Sequence, residues 1–339
     1  MRPPVETIVI AEKDAGLRLD RWFKLHFPAV GHSYLQKLLR TGQVRLDSRR
    51  VEAGHRIEAG QEIRVPAIIH EPAKDPAKSR APGLAPSPKP PMGLSKADRT
   101  FIESLILFED ADVFVLNKPF GIAVQGGTGT KRHIDGILAG MADRFGDRPR
   151  LVHRLDRDTT GVLMVAKTRD AASKLGRTFQ TRSAAKTYWA LVHGVPRPPQ
   201  GRIEAALVKA AGPDGDRVRK AEPGEQEQAM HATTHYSVID RVGQKTAWVS
   251  LKPVTGRQHQ LRAHMALINH PIVGDNKYDD GRPLPAENMD ARLHLHARRL
   301  VIPHPRPGSP PIDVTAPLPP HMLVTWGLLG LDAQHFATD

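Results

Sequence analysis

Seven prolines fall within twenty positions of one another: Pro72, Pro76, Pro82, Pro86, Pro88, Pro90 and Pro91, with Ala, Ser and Lys between them. A stretch like this has little to bury and favours an extended, semi-stiff spacer. The 339 residues therefore cannot form one continuous core. The expectation is a small domain over residues 1–66, a linker over 67–98, and a larger domain over 99–339. Lys74, Lys78, Arg80, Lys89 and Lys96 give the linker cations that can touch phosphate transiently.

In the small domain, Leu19, Trp22, Phe23 and Phe27 share one helix face that ends near Pro28. Ser33 is placed to cap a second helix, with Tyr34, Leu35, Leu38 and Leu39 as its apolar stripe and Gly42 as its stop. Short strands follow at Val44–Leu46 and Glu62–Val65, with a turn at Asp47-Ser48. Lys37, Arg40, Arg45, Arg49 and Arg50 gather on or just after the second helix. A solvated face is the usual fate of such a cluster; an RNA-binding face is the alternative.

Charge bears on that choice. Lys and Arg number 49 against 36 Asp and Glu, a net +13. Neutralising phosphates with Lys and Arg releases counterions, so nucleic acid is the expected partner. No apolar run approaches the ~20 residues that span a bilayer. Met1 to Asp14 lacks the apolar core of a signal peptide. With no cysteine there is no disulfide and no thiolate metal site. A cytoplasmic setting is expected.

The second domain carries the chemistry. His153-Arg154-Leu155-Asp156-Arg157-Asp158-Thr159-Thr160-Gly161 leads into the apolar run Val162–Ala166, which reads as a buried strand. Asp156 thus sits in a turn on the approach to a sheet, hemmed in by His153, Arg154 and Arg157. Asp158, Thr159 and Thr160 are placed to brace the turn. Neighbouring cations favour an ionised carboxylate, which suits attack on, or proton removal from, a polyanion. Elsewhere the patterns predict a strand at Val113–Leu116, a surface loop at Gly126–Gly129, and helices over 134–145 and 170–180. Strand Lys186–Val192 carries Tyr188, and residues 210–229 read as a loop. Strand Ala247–Val254 runs through a Thr255-Gly256 turn to a helix with Gln258 and Arg262 four residues apart on one face, beside Arg257. His259 and His264 lack the spacing and acidic partners of a metal site, so no metal is expected. Short strands mixed with a few helices predict an α+β domain on a mixed, mostly antiparallel sheet.

Residues 18–63 resemble the αL RNA-binding domain, through Arg18-Leu19-Asp20, Leu38–Val44 and Ala59–Ile63. The resemblance implies that the second helix and the following turn lie against folded RNA. The elements His153–Gly161, Lys186–Gly194 and Thr255–His264, with Asn117-Lys118-Pro119 and Gly274-Asp275, resemble the RluA family of RNA pseudouridine synthases. Gly121–Gly129 is most similar to its RluC type, which modifies uridines of bacterial 23S rRNA. The resemblance implies that Asp156 is the catalytic carboxylate and that Tyr188 stacks on the base and handles the C5 proton. It implies that Arg262 pairs with the acid, and that Arg154 fills the gap left by a flipped nucleotide or clamps its phosphate. Lys37, Arg40, Arg45, Arg49, Arg50 and Arg257 become RNA contacts. No redox, metal or nucleotide cofactor is needed; the partner is ribosomal RNA, free or in a pre-ribosomal particle, and the enzyme is expected to be a monomer.

Two rival readings use the same residues. Asp156-x-Asp158-x-Thr160 and Gly274-Asp275-x-x-x-Asp279 echo the signatures of Mg²⁺-dependent haloacid-dehalogenase-like phosphohydrolases, although there the apolar strand precedes the first acid. A non-catalytic RNA-binding protein would account for the charge but not for the Asp156 and Tyr188 elements.

Overall fold

The computed structural model describes residues 5–27, 30–66, 95–127, 130, 132–141, 147–210, 217–334 and 336, which divide between two units, Met1–Ser87 and Pro88–Asp339. The seven prolines and Gly129 lie outside the described residues.

In the first unit, β1 (Val5–Val9), α1 (Leu19–His26), α2 (His32–Arg40), β2 (Arg45–Leu46) and β3 (Glu62–Pro66) make two helices against a sheet of order β1-β3-β2. Leu19, Trp22 and Phe23 of α1 and Leu35, Leu38 and Leu39 of α2 are buried together with Val44, Ile57, Ile63 and Val65. Two details differ from the sequence reading. The N-cap of α2 is Gly31, so Ser33 falls within its first turn. Tyr34 is exposed, leaving the three leucines as the stripe. The Asp47-Ser48 turn has positive φ at both residues, the geometry of a tight hairpin.

The second unit begins with α3 (Lys96–Ser104), inside the stretch expected as linker, because Ser95 Oγ caps it by accepting from Asp98 N at 3.0 Å. Then come β4 (Ile106–Glu109), β5 (Val113–Lys118), α4 (Ile134–Ala139), β6 (Arg150–Leu151), β7 (Thr160–Ala166), α5 (Arg169–Gln180), β8 (Ala185–His193) and β9 (Gln200–Ala210). They are followed by β10 (Arg217–Lys220), β11 (Met230–Val242), β12 (Thr246–Pro253), α6 (Gln260–Leu267), β13 (Leu295–Ile302), β14 (Ile312–Thr315) and α7 (Pro320–Leu329). An 11-stranded sheet runs β10-β9-β11-β12-β8-β13-β7-β5-β4, with β14 on β13 and β6 on β7. Among the described strands only β13 and β7 pair in parallel, so the sheet is mixed and mostly antiparallel, within an α+β domain.

Three local expectations are corrected. α4 stops at Ala139, where Gly140 caps it; residues 142–146 are outside the described set. Part of the expected 210–229 loop is strand β10, in register with β9 from Arg217↔Ala210 to Lys220↔Leu207. α6 starts at Gln260 because His259 has φ 50° in the left-handed region, so Gln258 precedes the helix and shares no helix face with Arg262.

Every residue of β7 is buried, as expected of a strand packed on both faces. Gly161 opens it at φ +106°; a Cβ there would lie 2.2 Å from Ala297 O, so only glycine lets β7 approach β13. That contact fixes the loop just before it, which carries Asp156. No helix among the described residues is long and apolar enough to cross a membrane.

Candidate active site

Leu155 is buried in the core beside Leu163 and Ala297, which anchors the loop and leaves Asp156 half-buried at its edge. Lys118, at the end of β5, holds this loop from below. Its side chain is fully buried, and Nζ donates to Pro119 O at 2.8 Å, Ile122 O at 3.0 Å and Arg157 O at 2.8 Å. Burial pulls the Lys118 pKa down to about 7, while the charges of Asp158 and Asp156 work in the other direction. Three carbonyl acceptors call for three N–H donors, which only the ammonium has, so the geometry favours the charged form. Arg157 Nε returns to Gly121 O at 3.1 Å, closing a second tie between the two loops.

The bracing of the turn differs from expectation. Among the described residues the Asp158 side chain makes a long ion pair to Arg157, at 3.9 Å. Thr160 Oγ1 instead meets His296 Nδ1 at 2.8 Å, deep in the core. Nor is His153 part of a basic rim. Its Nε2 accepts from Met164 N at 2.8 Å, which requires a lone pair there, and burial holds its pKa down to about 3. The ring is neutral and stacks on Phe179 at 4.7 Å. Arg154 and Arg157 are the exposed cations beside Asp156.

The hollow in front of Asp156 has a volume of about 520 Å³, and its lining includes Arg154, Asp156, Tyr188, Arg257, His259 and Arg262. That is within the usual range for ligand sites. Tyr188 is supplied by β8, half-buried, with its hydroxyl free of hydrogen bonds among the described residues. Burial and the nearby Asp156 charge push the phenol's pKa up, so it is neutral in water at ordinary pH.

Arg262 has its direct hydrogen-bond partner away from Asp156. Its fork is spent on Asp275: Nε to Oδ2 at 2.7 Å and Nη2 to Oδ1 at 2.6 Å, both residues being almost wholly buried. It forms no hydrogen bond with Asp156, although the Asp156 charge is among those that hold it protonated, after Asp275. Asp275 reaches this depth because Gly274, at φ +73°, turns the chain where a Cβ would strike Arg292 O at 2.2 Å. Tyr278 lies under the guanidinium, 5.3 Å from its ring centre, accepts from Val218 N at 2.8 Å and meets His259 Nδ1 at 3.2 Å. Burial lowers the His259 pKa.

The loop carrying Arg257 is held by Gln260. Its Oε1 accepts from Thr255 Oγ1 at 2.7 Å and Arg257 N at 3.0 Å, and its Nε2 donates to Thr233 O at 2.9 Å. Arg257 Nε contacts His231 O at 3.3 Å and its side chain lines the hollow. Lys118, Asp275, Tyr278 and Gln260 were not picked out as site residues from sequence. For Lys118 and Asp275 the signal in the sequence was their place in Asn117-Lys118-Pro119 and Gly274-Asp275, two elements of the family resemblance.

The carboxylates of the phosphohydrolase echo do not converge. Asp275 is locked to Arg262, and Asp279 Oδ1 accepts from Gly281 N at 2.9 Å. Among the described residues the group with metal-ligand spacing is elsewhere, at Asp110, Asp112 and His304. In the first unit, Lys37, Arg40, Arg49 and Arg50 are exposed. Arg45 is half-buried and donates to Gly42 O at 3.1 Å and Ser48 O at 3.3 Å, holding its own turn.

Residues 112–267 match the RNA pseudouridylate synthase family. A protein of Salmonella typhimurium named ribosomal large subunit pseudouridine synthase C is 35% identical over 318 residues, 91% of each chain. The protein of that name from Pasteurella multocida is 35% identical over 332 residues, 96% of this chain and 94% of its own. Among solved structures, human RNA pseudouridylate synthase domain containing 4 superposes with a TM-score of 0.58 at 29% identity, covering 70% of this chain and 98% of that one.

Proposed function

Since this chain belongs to the RluA family of RNA pseudouridine synthases and is of its RluC type, we propose that it isomerises uridines of large-subunit ribosomal RNA, with Asp156 as the reacting carboxylate. One observation carries the assignment of Asp156. It is a half-buried acid without a side-chain hydrogen bond among the described residues, set in a nucleotide-sized hollow beside Tyr188 and rimmed by arginines.

The reaction breaks N1–C1′, turns the base and joins C1′ to C5. A stacked uridine cannot meet Asp156, so the nucleotide must be extruded, at a few kcal/mol of unstacking. Exposed Arg154 stands at the mouth, suited to fill the vacated gap or to hold a phosphate. Asp156 then either attacks C1′ or removes the 2′ proton to give a glycal; its position serves both routes. Tyr188 offers its ring to the base. As a neutral phenol it takes the C5 proton only by passing its own onward. Arg262, fixed by Asp275, supplies an immobile positive charge near the ionised acid. The exposed cations of α2 and the turn after β2 serve as a further RNA contact. The enzyme works as a cytoplasmic monomer on 23S rRNA, free or within an assembling particle.

Mapping pseudouridines transcriptome-wide in cells with and without this chain tests the reading. Sites in large-subunit rRNA should be lost without it. An unchanged rRNA map would overturn it.

A further inference from the structure

The Asp156 hollow adjoins a second hollow of about 460 Å³, with which it shares Arg182, Lys186, Pro253 and Val254. The wall of this second space is completed by residues that include Thr187, His235, Lys252 and Arg299, and no Asp or Glu lines it.

Several surface arginines of this unit are matched with acids: Arg132 with Asp98 at 2.8 Å, Arg148 with Asp135 at 3.0 Å, Arg219 with Glu225 at 2.7 Å. Arg299 follows that pattern with Asp313 at 2.6 Å. Arg182, Lys186 and Lys252 have no hydrogen bond or ion pair among the described residues. Lys186 is half-buried, a costly place for an ammonium without a partner. The strand period puts Lys186 on the Tyr188 face of β8, one pleat further along. His235 of β11 stands directly opposite Lys252 of β12, both exposed. Solvated surface charge explains a scattered lysine. It does not explain three unpaired cations in an acid-free trough continuous with the catalytic hollow.

We propose that the RNA strand adjoining the extruded uridine leaves the catalytic hollow over Lys186 and runs through this trough, its phosphates on Arg182, Lys186 and Lys252 with His235 beside them. The proposal rests on the reading of the Asp156 hollow as the catalytic one. A single strand is the occupant favoured by the geometry, because the trough adjoins the hollow that an extruded, unpaired nucleotide must occupy.

The test uses an in vitro transcript of rRNA around a mapped target, together with versions trimmed on the 5′ or the 3′ side of the uridine. Binding of the full chain is measured across salt for wild type, Arg182→Ala, Lys252→Ala and the double variant. Each single change should lower the slope of log K against log salt by about 0.7 to 0.9. That corresponds to about a threefold smaller loss of affinity between about 50 and about 200 mM salt. The effect should disappear when one particular flank is trimmed. Unaltered slopes in the double variant, or the same loss on both trimmed RNAs, would overturn the proposal. If Asp156→Asn is inactive while the slopes stay put, the trough assignment alone fails; if Asp156→Asn turns over, the catalytic reading fails whatever the slopes do.

Discussion

The basic face of the first unit and the Asp156 hollow of the second are both rich in cations, yet they are built in opposite ways. On α2 and the turn after β2, Lys37, Arg40, Arg49 and Arg50 stand in solvent. Around Asp156, Lys118 and Arg262 are buried, and each is matched to particular acceptors: three carbonyls for Lys118, the Asp275 carboxylate for Arg262. Exposed cations add affinity in roughly equal, salt-sensitive increments. Buried ones are held to one geometry, because an unpaired charge there costs several kcal/mol. The first kind of surface tolerates substitution; the second does not.

Acid should separate the two units most strongly. His264, His294 and His296 of the second unit are wholly buried, and burial lowers their pKa values to about 4, about 4 and about 3. Between pH about 6.5 and about 4 the unfolded chain therefore binds protons that the folded chain refuses. Stability falls as pH drops through that window, by up to about 1.4 kcal/mol per pH unit for each histidine. Of the four tryptophans, Trp22 reports on the first unit and Trp189, Trp248 and Trp326 on the second. Fluorescence titration of single-tryptophan variants should show the second unit losing stability first; a simultaneous or reversed order would break the comparison.

Asp275→Ala is the next largest effect expected. It leaves the Arg262 guanidinium buried without its partner, a loss of about 3–5 kcal/mol by denaturant unfolding. A cost below about 1 kcal/mol would mean that the pair behaves like a surface ion pair. At the small end, Arg40→Ala and Arg49→Ala should each change folding stability by no more than about 0.5 kcal/mol. Each should still lower the salt slope of RNA binding by about 1. Turnover of a short substrate should be unaffected. Unchanged slopes in both would remove the first unit as an RNA clamp.

These differences also explain what was readable in the chain. The strand behind Gly161, the Tyr188 strand and the leucine stripe of α2 depend on spacings of a few residues, and the structure has them within a residue or two. The exposed arginines were readable for the same reason: charge is visible residue by residue. The buried partners were not. Lys118 meets a carbonyl 39 positions away and Arg262 an acid 13 positions away, with the choice made by how strands assemble. Thr160 and His296 are separated by 136 positions and meet through the parallel β7–β13 pairing. The left-handed His259 that delays α6, and the register that makes Arg217–Lys220 a strand, are likewise set by neighbours distant in sequence.

Tritium release from [5-³H]uridine-labelled rRNA by Asp156→Asn, set beside its RNA affinity, tests the central claim most directly. The account predicts no detectable release, a loss of roughly four orders of magnitude or more, with binding close to wild type. Release at a rate near that of the unaltered enzyme would show that the carboxylate in this hollow is not the group that meets the sugar.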